Sequence, residues 1–358
     1  MSGVSAADPE ALLRALFEAA VGAADPARCL APFLPDKPQG RCLVLGAGKS
    51  AAAMARAVEL AWPDVSLSGL VVTRYGHAVP TERIVVREAA HPVPDAAGLA
   101  AAADLMALAE EAGEGDLVLA LISGGGSSLL PGPKPPLRLE DEIAVNGALL
   151  KSGLPIDAMN AVRRRLSTIK AGGLARAAAP ARVVTLAISD VPGDSPADIA
   201  SGPTVPDPTA TMDLAPLVAH LGAALPEAAR AILLSPAAPE PPFEVDFRLI
   251  AAPLLSLEAA AKVARAAGVT PLILGDALEG EARELGVAMA GIAQSVAAHG
   301  HPLPRPAVLL SGGETTVSFE AGPVGSGAAF GTVLPIPTAT RSGRQPDDRS
   351  RSRAPRFP

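Results

Sequence analysis

The hydrophobic positions of this chain fall in short runs that are apolar at every residue, not at alternate ones. Each run ends in a Gly, Ser or Asp turn and is followed by an Ala-rich stretch with helical spacing. Strands apolar on both faces are those buried between two layers of helices, so the pattern predicts an α/β fold with mainly parallel sheets. The runs at 42–46, 117–122, 183–188, 247–251, 271–274 and 307–311 predict strands. Stretches 10–23, 50–61, 96–112, 139–151, 157–170, 257–267 and 280–298 predict helices.

Residues 234–243 read Leu-Ser-Pro-Ala-Ala-Pro-Glu-Pro-Pro-Phe, where repeated proline blocks regular backbone hydrogen bonding. A boundary here gives one α/β domain at 1–238 and the start of a second at 239–325, with a cleft between them. Beyond 325 the apolar periodicity fades, and 338–358 holds six arginines scattered among Ser, Pro, Asp and Gly. A disordered basic tail and a translation that has left its reading frame are the two readings of 326–358.

Length and composition sharpen this picture. The 358 residues suit two domains, and 49% hydrophobic with only 3% aromatic residues means a core of small aliphatic side chains. A net charge of −7 supplies no basic field for a polyanion, which argues against nucleic acid as the main partner. A small anionic substrate would need locally placed cations. Cys29 and Cys42 are the only cysteines, too few for a disulfide framework and suited to a reducing cytoplasm. Asp8, Glu10, Arg14 and Glu18 interrupt the amino-terminal apolar residues, so no secretory signal is expected there. No apolar run approaches the roughly 18 residues of a membrane span. A soluble cytoplasmic protein acting on small molecules is the expectation.

Four turns carry candidate chemistry. The first, Gly46-Ala47-Gly48-Lys49-Ser50-Ala51, follows a strand and opens a helix in the Gly-x-Gly-x-x-Ala form of a dinucleotide turn. The acidic ribose partner of such a fold is absent, because Thr73 and Arg74 follow the next strand. A Walker-type phosphate loop is excluded by Leu43, where glycine is required. Lys49 opposes the helix dipole unless an anionic ligand compensates it. The second turn, Ser123-Gly124-Gly125-Gly126-Ser127-Ser128, lets backbone approach a phosphate or carboxylate closely and lacks the Gly-x-Ser-x-Gly of a hydrolase elbow. In the third, Ser189 to Asp194, Asp190 and Asp194 form a carboxylate pair suited to Mg²⁺. The fourth, Ser311-Gly312-Gly313-Glu314-Thr315, repeats the pattern in the second unit. Ligands of α/β sheets sit at the carboxyl ends of strands, so all four are candidates to line one cleft. Asn160, Arg163, Arg164, Arg165 and Lys170 read equally as a solvated face or an anion clamp, and His77 and His91 as loop or structural residues.

On these stretches, together with Thr73-Arg74-Tyr75-Gly76-His77, Glu88 to Asp95, Asn160-Ala161-Val162-Arg163 and Ser201 to Asp207, the chain resembles the glycerate 2-kinase family of the MOFRL type. Bacterial members of that family are often labelled hydroxypyruvate reductase. The resemblance runs in family order from about residue 10 to 325. It implies ATP- and Mg²⁺-dependent phosphorylation of D-glycerate at the 2-hydroxyl, with Lys49 matching the family's catalytic lysine. Asp190 joins Lys49 as a catalytic candidate and pairs with Asp194 on the metal. Gly46, Gly48, Ser123, Gly124, Gly125, Gly126, Ser127, Asn160, Arg163, Lys170, Gly312, Gly313 and Glu314 are the candidates for substrate or nucleotide. After Gly322-Pro323-Val324-Gly325 the resemblance stops, and the family's functional arginine in the following turn has no counterpart. A one-nucleotide shift over codons 326–333 permits residues close to the missing motif, which points to a frame error and a truncated second domain. An NAD(P)H-dependent hydroxypyruvate reductase and an inactive ligand-binding remnant are the alternatives.

Overall fold

A computed structural model describes residues 8–236 and 243–317, together with the backbone of short strands at 325–327 and 334–335. The first half runs α1 (Pro9–Ala23), α2 (Pro26–Cys29), β1 (Cys42–Ala47), α3 (Ala51–Ala61), β2 (Leu67–Arg74), β3 (Val85–Ala89), α4 (Ala96–Glu110) and β4 (Leu117–Ser123). It continues through α5 (Gly126–Leu129), α6 (Leu139–Lys151), α7 (Ile156–Arg165), α8 (Gly173–Ala177), β5 (Arg182–Ile188), α9 (Ala215–Leu221) and α10 (Glu227–Leu234). The remainder is β6 (Asp246–Ala251), α11 (Pro253–Ala266), β7 (Thr270–Gly275), β8 (Gly280–Glu281), α12 (Ala282–His299), β9 (Ala307–Ser311) and β10 (Thr315–Val317). The expected tail at 326–358 lies outside the described residues apart from the backbone of those two short strands.

The α/β expectation holds. Six parallel strands form one sheet in the order β3-β2-β1-β4-β5-β6. Every residue of β1 and β4 is buried, as continuous apolar runs require. Alternate residues of β1 serve opposite faces: Val44 packs with Met54, Ala55 and Val58 of α3, while Leu43 and Leu45 pack with Ala101, Ala102 and Leu105 of α4. Small residues on these helices let them lie close to the sheet. Caps fix where helices begin: Asp8 accepts from the Ala11 amide at 3.0 Å and Asp95 from the Gly98 amide at 2.9 Å. Among the described residues no helix is long and apolar enough to cross a membrane.

Strand β6, with which the sequence reading opens its second unit, pairs parallel to β5, so the main sheet continues past the proline segment. In the other direction, Leu12 and Leu16 of α1 pack with Leu257, Ala260 and Ala261 of α11 and with Val308 and Leu310 of β9. Proline marks a break in local regularity, whereas pairing and packing partners are distant in sequence. Strand β9 pairs parallel to β7 in a separate small sheet.

The helix expected at 157–170 ends at Arg165. The Ser167 hydroxyl accepts from the amides of Ile169 and Lys170, both at 3.2 Å, and the Thr168 amide donates to Gly132 O at 2.8 Å. Such side-chain and loop bonds replace the helical ladder, and Lys170 leaves the helix that carries Asn160 and Arg163.

Glu59 on α3 is 4% exposed, and its Oε1 accepts from the amides of Glu82, Arg83 and Ile84 at 3.0, 2.7 and 3.0 Å. Burial acts to raise its pKa, but these amides and Arg56 outweigh it and hold the carboxyl below its usual range. A depressed folded-state pKa contributes stability above the unfolded value, about 4.3, that is lost as pH falls through the folded value. Glu59→Gln is therefore expected to destabilise the protein by about 2 kcal/mol at neutral pH. That deficit should narrow as the pH is lowered below 4. Urea unfolding across that range checks it, and equal midpoints at neutral pH would refute the assignment.

Candidate functional site

The order in which strands are added to the sheet reverses between β1 and β4, and the crevice outside the carboxyl ends of those strands is where α/β sheets bind ligands. The first two glycine turns meet there. The Lys49 amide donates to Gly124 O at 2.8 Å, and the Ser50 amide to Ser123 Oγ at 3.0 Å. The Gly48 amide donates to Val72 O at 3.0 Å and that of Ala51 to Gly48 O at 3.1 Å. With all four amides engaged, the first turn offers no anion cradle, contrary to the dinucleotide-turn expectation. Its glycines serve close approach instead. A Cβ on Gly46 would lie 2.1 Å from Leu121 O, and one on Gly48, at φ +140°, 2.1 Å from Ser123 Oγ.

The second turn is different. Among the described residues, nothing accepts a hydrogen bond from the amides of Gly124, Gly125, Gly126 or Ser127. Those glycines lie against the site's charged groups: a Cβ on Gly124 would fall 1.8 Å from Asp190 Oδ2, and one on Gly125 would fall 2.8 Å from His91 Nε2 and 3.4 Å from Lys49 Cε. Lys49 Nζ itself is 3.5 Å from Asp190 Oδ2, and both side chains are partly open to solvent. The ammonium, the carboxylate and four unspent amides thus surround one crevice.

The loop after β5 holds its side of the crevice in uncommon conformations. Asp194, Ala200 and Ser201 have φ of +53°, +52° and +60°, which costs energy in non-glycine residues and persists where surrounding bonds enforce it. Ser201 O accepts from the Ala171 amide at 3.1 Å, Gly202 O accepts from the Gly172 amide at 2.7 Å, and Ser201 Oγ lies 3.0 Å from Ser127 Oγ. Asp194 Oδ1 is buried with no hydrogen-bond partner among the described residues.

Two groups of expected site residues make their described hydrogen bonds with partners outside the Lys49 group. Gly312 donates its amide to Gly275 O at 2.9 Å and accepts from Leu278 at 3.0 Å. Among the described residues, none of Gly312, Gly313 and Glu314 bonds to the Lys49 group. The basic cluster is internally paired: Arg163 Nε donates to Asn146 Oδ1 at 2.9 Å, Asn160 Nδ2 to Asp198 Oδ1 at 2.9 Å, and Lys170 Nζ to Glu142 Oε1 at 3.1 Å. Arg164, its side chain 2% exposed, pairs with Asp198 at 3.1 Å and with Asp207 at 2.9 Å, the latter off the line of a hydrogen bond. Buried cations need partners, so this cluster ties loops to α6 and α7 and is not a solvated face.

His91 is the residue that sequence reasoning set aside as structural and that the fold brings to the crevice. Burial lowers its pKa, and the Lys49 and Arg74 charges lower it further against the opposing pull of Asp190, so the imidazole is neutral at neutral pH. Ser201 was likewise legible only as part of an ordered loop. Burial pushes the Cys42 thiol up to about 12 and raises that of Cys29 as well, which keeps both thiols protonated at neutral pH.

A family model described as a domain of unknown function, DUF4147, matches residues 12–234. A protein of Agrobacterium vitis named as a hydroxypyruvate reductase is 58% identical over 320 residues, 88% of this chain and 73% of that protein. The D-glycerate 2-kinase of Thermotoga maritima is 35% identical over 322 residues, 89% of this chain and 77% of that protein. The crystal structure of glycerate kinase from Thermotoga maritima superposes with a TM-score of 0.76 at 34% identity, covering 88% of this chain and 76% of that one.

Proposed function

We propose, from the premise that this chain belongs to the DUF4147 or glycerate kinase family, that it transfers the γ-phosphoryl group of ATP to the 2-hydroxyl of D-glycerate. The observation that carries the reading is the crevice where Lys49, Asp190 and the four unspent amides of Gly124–Ser127 converge. Backbone amides and a lysine are the groups that bind phosphate oxygens. In the transfer the glycerate hydroxyl oxygen bonds to the γ-phosphorus, the bond to the bridging oxygen breaks, and ADP leaves. Lys49 Nζ neutralises charge on the transferred phosphoryl. Asp190 holds that ammonium over the turn, and the neutral His91 imidazole beside it accepts the hydroxyl proton.

The donor set fits Mg²⁺. That ion typically takes one or two protein carboxylates plus substrate phosphate oxygens, and Asp194 Oδ1 is a buried oxygen without a partner in the loop that also carries Asp190. Among the described residues no group of three or more His, Cys, Asp or Glu is placed for a metal. Mg²⁺, when bound, would shield the negative charge of the phosphates. Gly312, Gly313 and Glu314 remain candidates to face substrate from a second α/β unit built on β7 and β9, supported by their position at a strand's carboxyl end.

The strand order is also that of dinucleotide-binding folds, which gives the reductase alternative its one structural support. Against it, the amides that would hold a pyrophosphate are engaged, and β2 ends in Arg74 and not in an acid. We read the reductase name of the Agrobacterium relative as a label carried within the same family. Purified protein with ATP and Mg²⁺ is expected to release ADP only when D-glycerate is added, and to leave NADH and NADPH unoxidised with hydroxypyruvate. Reduced-nucleotide oxidation without ADP release would reverse the assignment, and binding of glycerate without turnover would identify an inactive remnant.

A further inference from the structure

Along the carboxyl edge of the main sheet the charged groups are segregated. On the β4 and β5 side stand the unspent amides of Gly124–Ser127 and the carboxylates Asp190 and Asp194; on the β1 and β2 side stand Lys49 and Arg74, the last residue of β2. Neighbouring strands are about 4.8 Å apart, so the start of the Arg74 side chain is one strand away from the Lys49 turn.

Arg74 is exposed, and among the described residues no carboxylate pairs with it, although two lie close in the chain's packing. Glu88, on the strand paired with β2, accepts at Oε1 a hydrogen bond from the Gly76 amide at 2.7 Å. Asp95 accepts from the Tyr75 hydroxyl at 2.7 Å through Oδ2 and caps α4 through Oδ1. Both acids are thereby committed to bracing the turn after β2, which is closed by the His77 amide on Arg74 O at 3.1 Å. Arg87, on the neighbouring strand, has instead found Asp104 at 3.5 Å. A guanidinium on a braced turn, left without a carboxylate while its neighbours are satisfied, is set up to take an anion from solution. Its charge is also felt at His91, inside the crevice.

We infer that Arg74 binds the carboxylate of the acceptor substrate, and so selects 2-hydroxy acids over uncharged polyols; the inference rests on the kinase reading above. Phosphate oxygens are already served by Lys49 and the amides on the β4 side. In D-glycerate the reacting hydroxyl and the carboxylate are on adjacent carbons, so whatever holds the carboxylate must stand next to Lys49 on the side away from the nucleotide. Arg74 at the end of the neighbouring strand meets that condition.

Steady-state kinetics of Arg74→Ala and Arg74→Lys in the full chain test it. Arg74→Ala is expected to raise the KM for D-glycerate tenfold or more, with the KM for ATP within twofold and an unchanged melting midpoint, since the side chain is exposed. Arg74→Lys should fall between the two, because lysine keeps the charge and loses the two-pronged geometry. Any slow phosphorylation of glycerol should be the same in wild type and Arg74→Ala. An unchanged KM for D-glycerate, or a rise confined to ATP, overturns the inference while the kinase reading stands. A wild-type protein without glycerate-dependent ADP release removes the reading itself and the inference with it.

Discussion

Lys49→Ala is expected to lower kcat for glycerate phosphorylation by about 10³-fold, near 4 kcal/mol of transition-state stabilisation, while leaving the protein as stable as before or slightly more so. The two effects have different origins. Lys49 Nζ is the cation that meets the transferred phosphoryl, and its described partner in the free protein is Asp190, 3.5 Å away and partly exposed. Such an open pair contributes little to stability, whereas a cation at the start of α3 works against the helix dipole by about 0.3–1 kcal/mol. Lys49→Arg keeps the charge in a wider group beside the Gly124–Ser127 turn and should recover only part of the rate. Parallel measurement of kcat and of the melting midpoint separates the outcomes. A kcat within threefold of wild type would remove Lys49 from the chemistry, and a large loss of stability would make it a structural residue.

Gly48→Ala should produce the largest stability loss of any single methyl addition in the site. The new Cβ would sit 2.1 Å from Ser123 Oγ and 2.5 Å from Ser123 O, on a residue whose φ of +140° side-chain-bearing residues rarely adopt. Steric overlap with backbone cannot be relieved by a rotamer change. Together the overlap and the backbone strain are expected to cost about 3 kcal/mol or more. For a chain of this size that corresponds to a fall in melting midpoint of roughly 4 °C or more. Gly147→Ala is the control: it lies inside α6 with nothing within 4 Å of its would-be Cβ, and helix propensity predicts a gain of up to about 1 kcal/mol. Thermal unfolding of the two variants should move in opposite directions. A Gly48→Ala midpoint equal to wild type would mean the β1 and β4 turns are not locked together as described.

Much of the fold is legible in the sequence because buried parallel strands advertise themselves. Cys42–Ala47 and Leu117–Ser123 are apolar throughout and end in glycine turns, and both are strands at the centre of the sheet. Edge strand β3, Val-Val-Arg-Glu-Ala, carries no such run, and β2 is interrupted by Gly69, so neither is marked by the same pattern. The fate of β6 is illegible for another reason: its partner β5 is separated from it by two helices and the proline segment, and nothing local specifies that pairing.

The site divides in the same way. Glycine turns after strands point to a ligand edge, and Lys49, Asp190 and the Gly124–Ser127 turn do share one crevice. Whether a glycine's amide is free or already engaged depends on residues far along the chain. Gly48 and Gly124 look alike in sequence, yet the Gly48 amide is bonded to Val72 O and the Gly124 amide to nothing among the described residues. His91 escapes for a similar reason, since its approach to Gly125 depends on how the segment after β3 runs along the sheet edge. The arginines of α7 read in sequence equally as a solvated face or an anion clamp, and only the fold supplies the aspartates that pair with the buried Arg164.

The measurement that bears most directly on the assignment is phosphorus NMR of the full chain incubated with ATP, Mg²⁺ and D-glycerate. The account predicts growth of ADP together with a phosphomonoester signal split into a doublet by the single hydrogen on carbon 2. A triplet would place the phosphate on the 3-hydroxyl and contradict the geometry assigned to the acceptor. An unchanged ATP spectrum, with NADPH oxidised by the same preparation in the presence of hydroxypyruvate, would contradict the kinase assignment altogether.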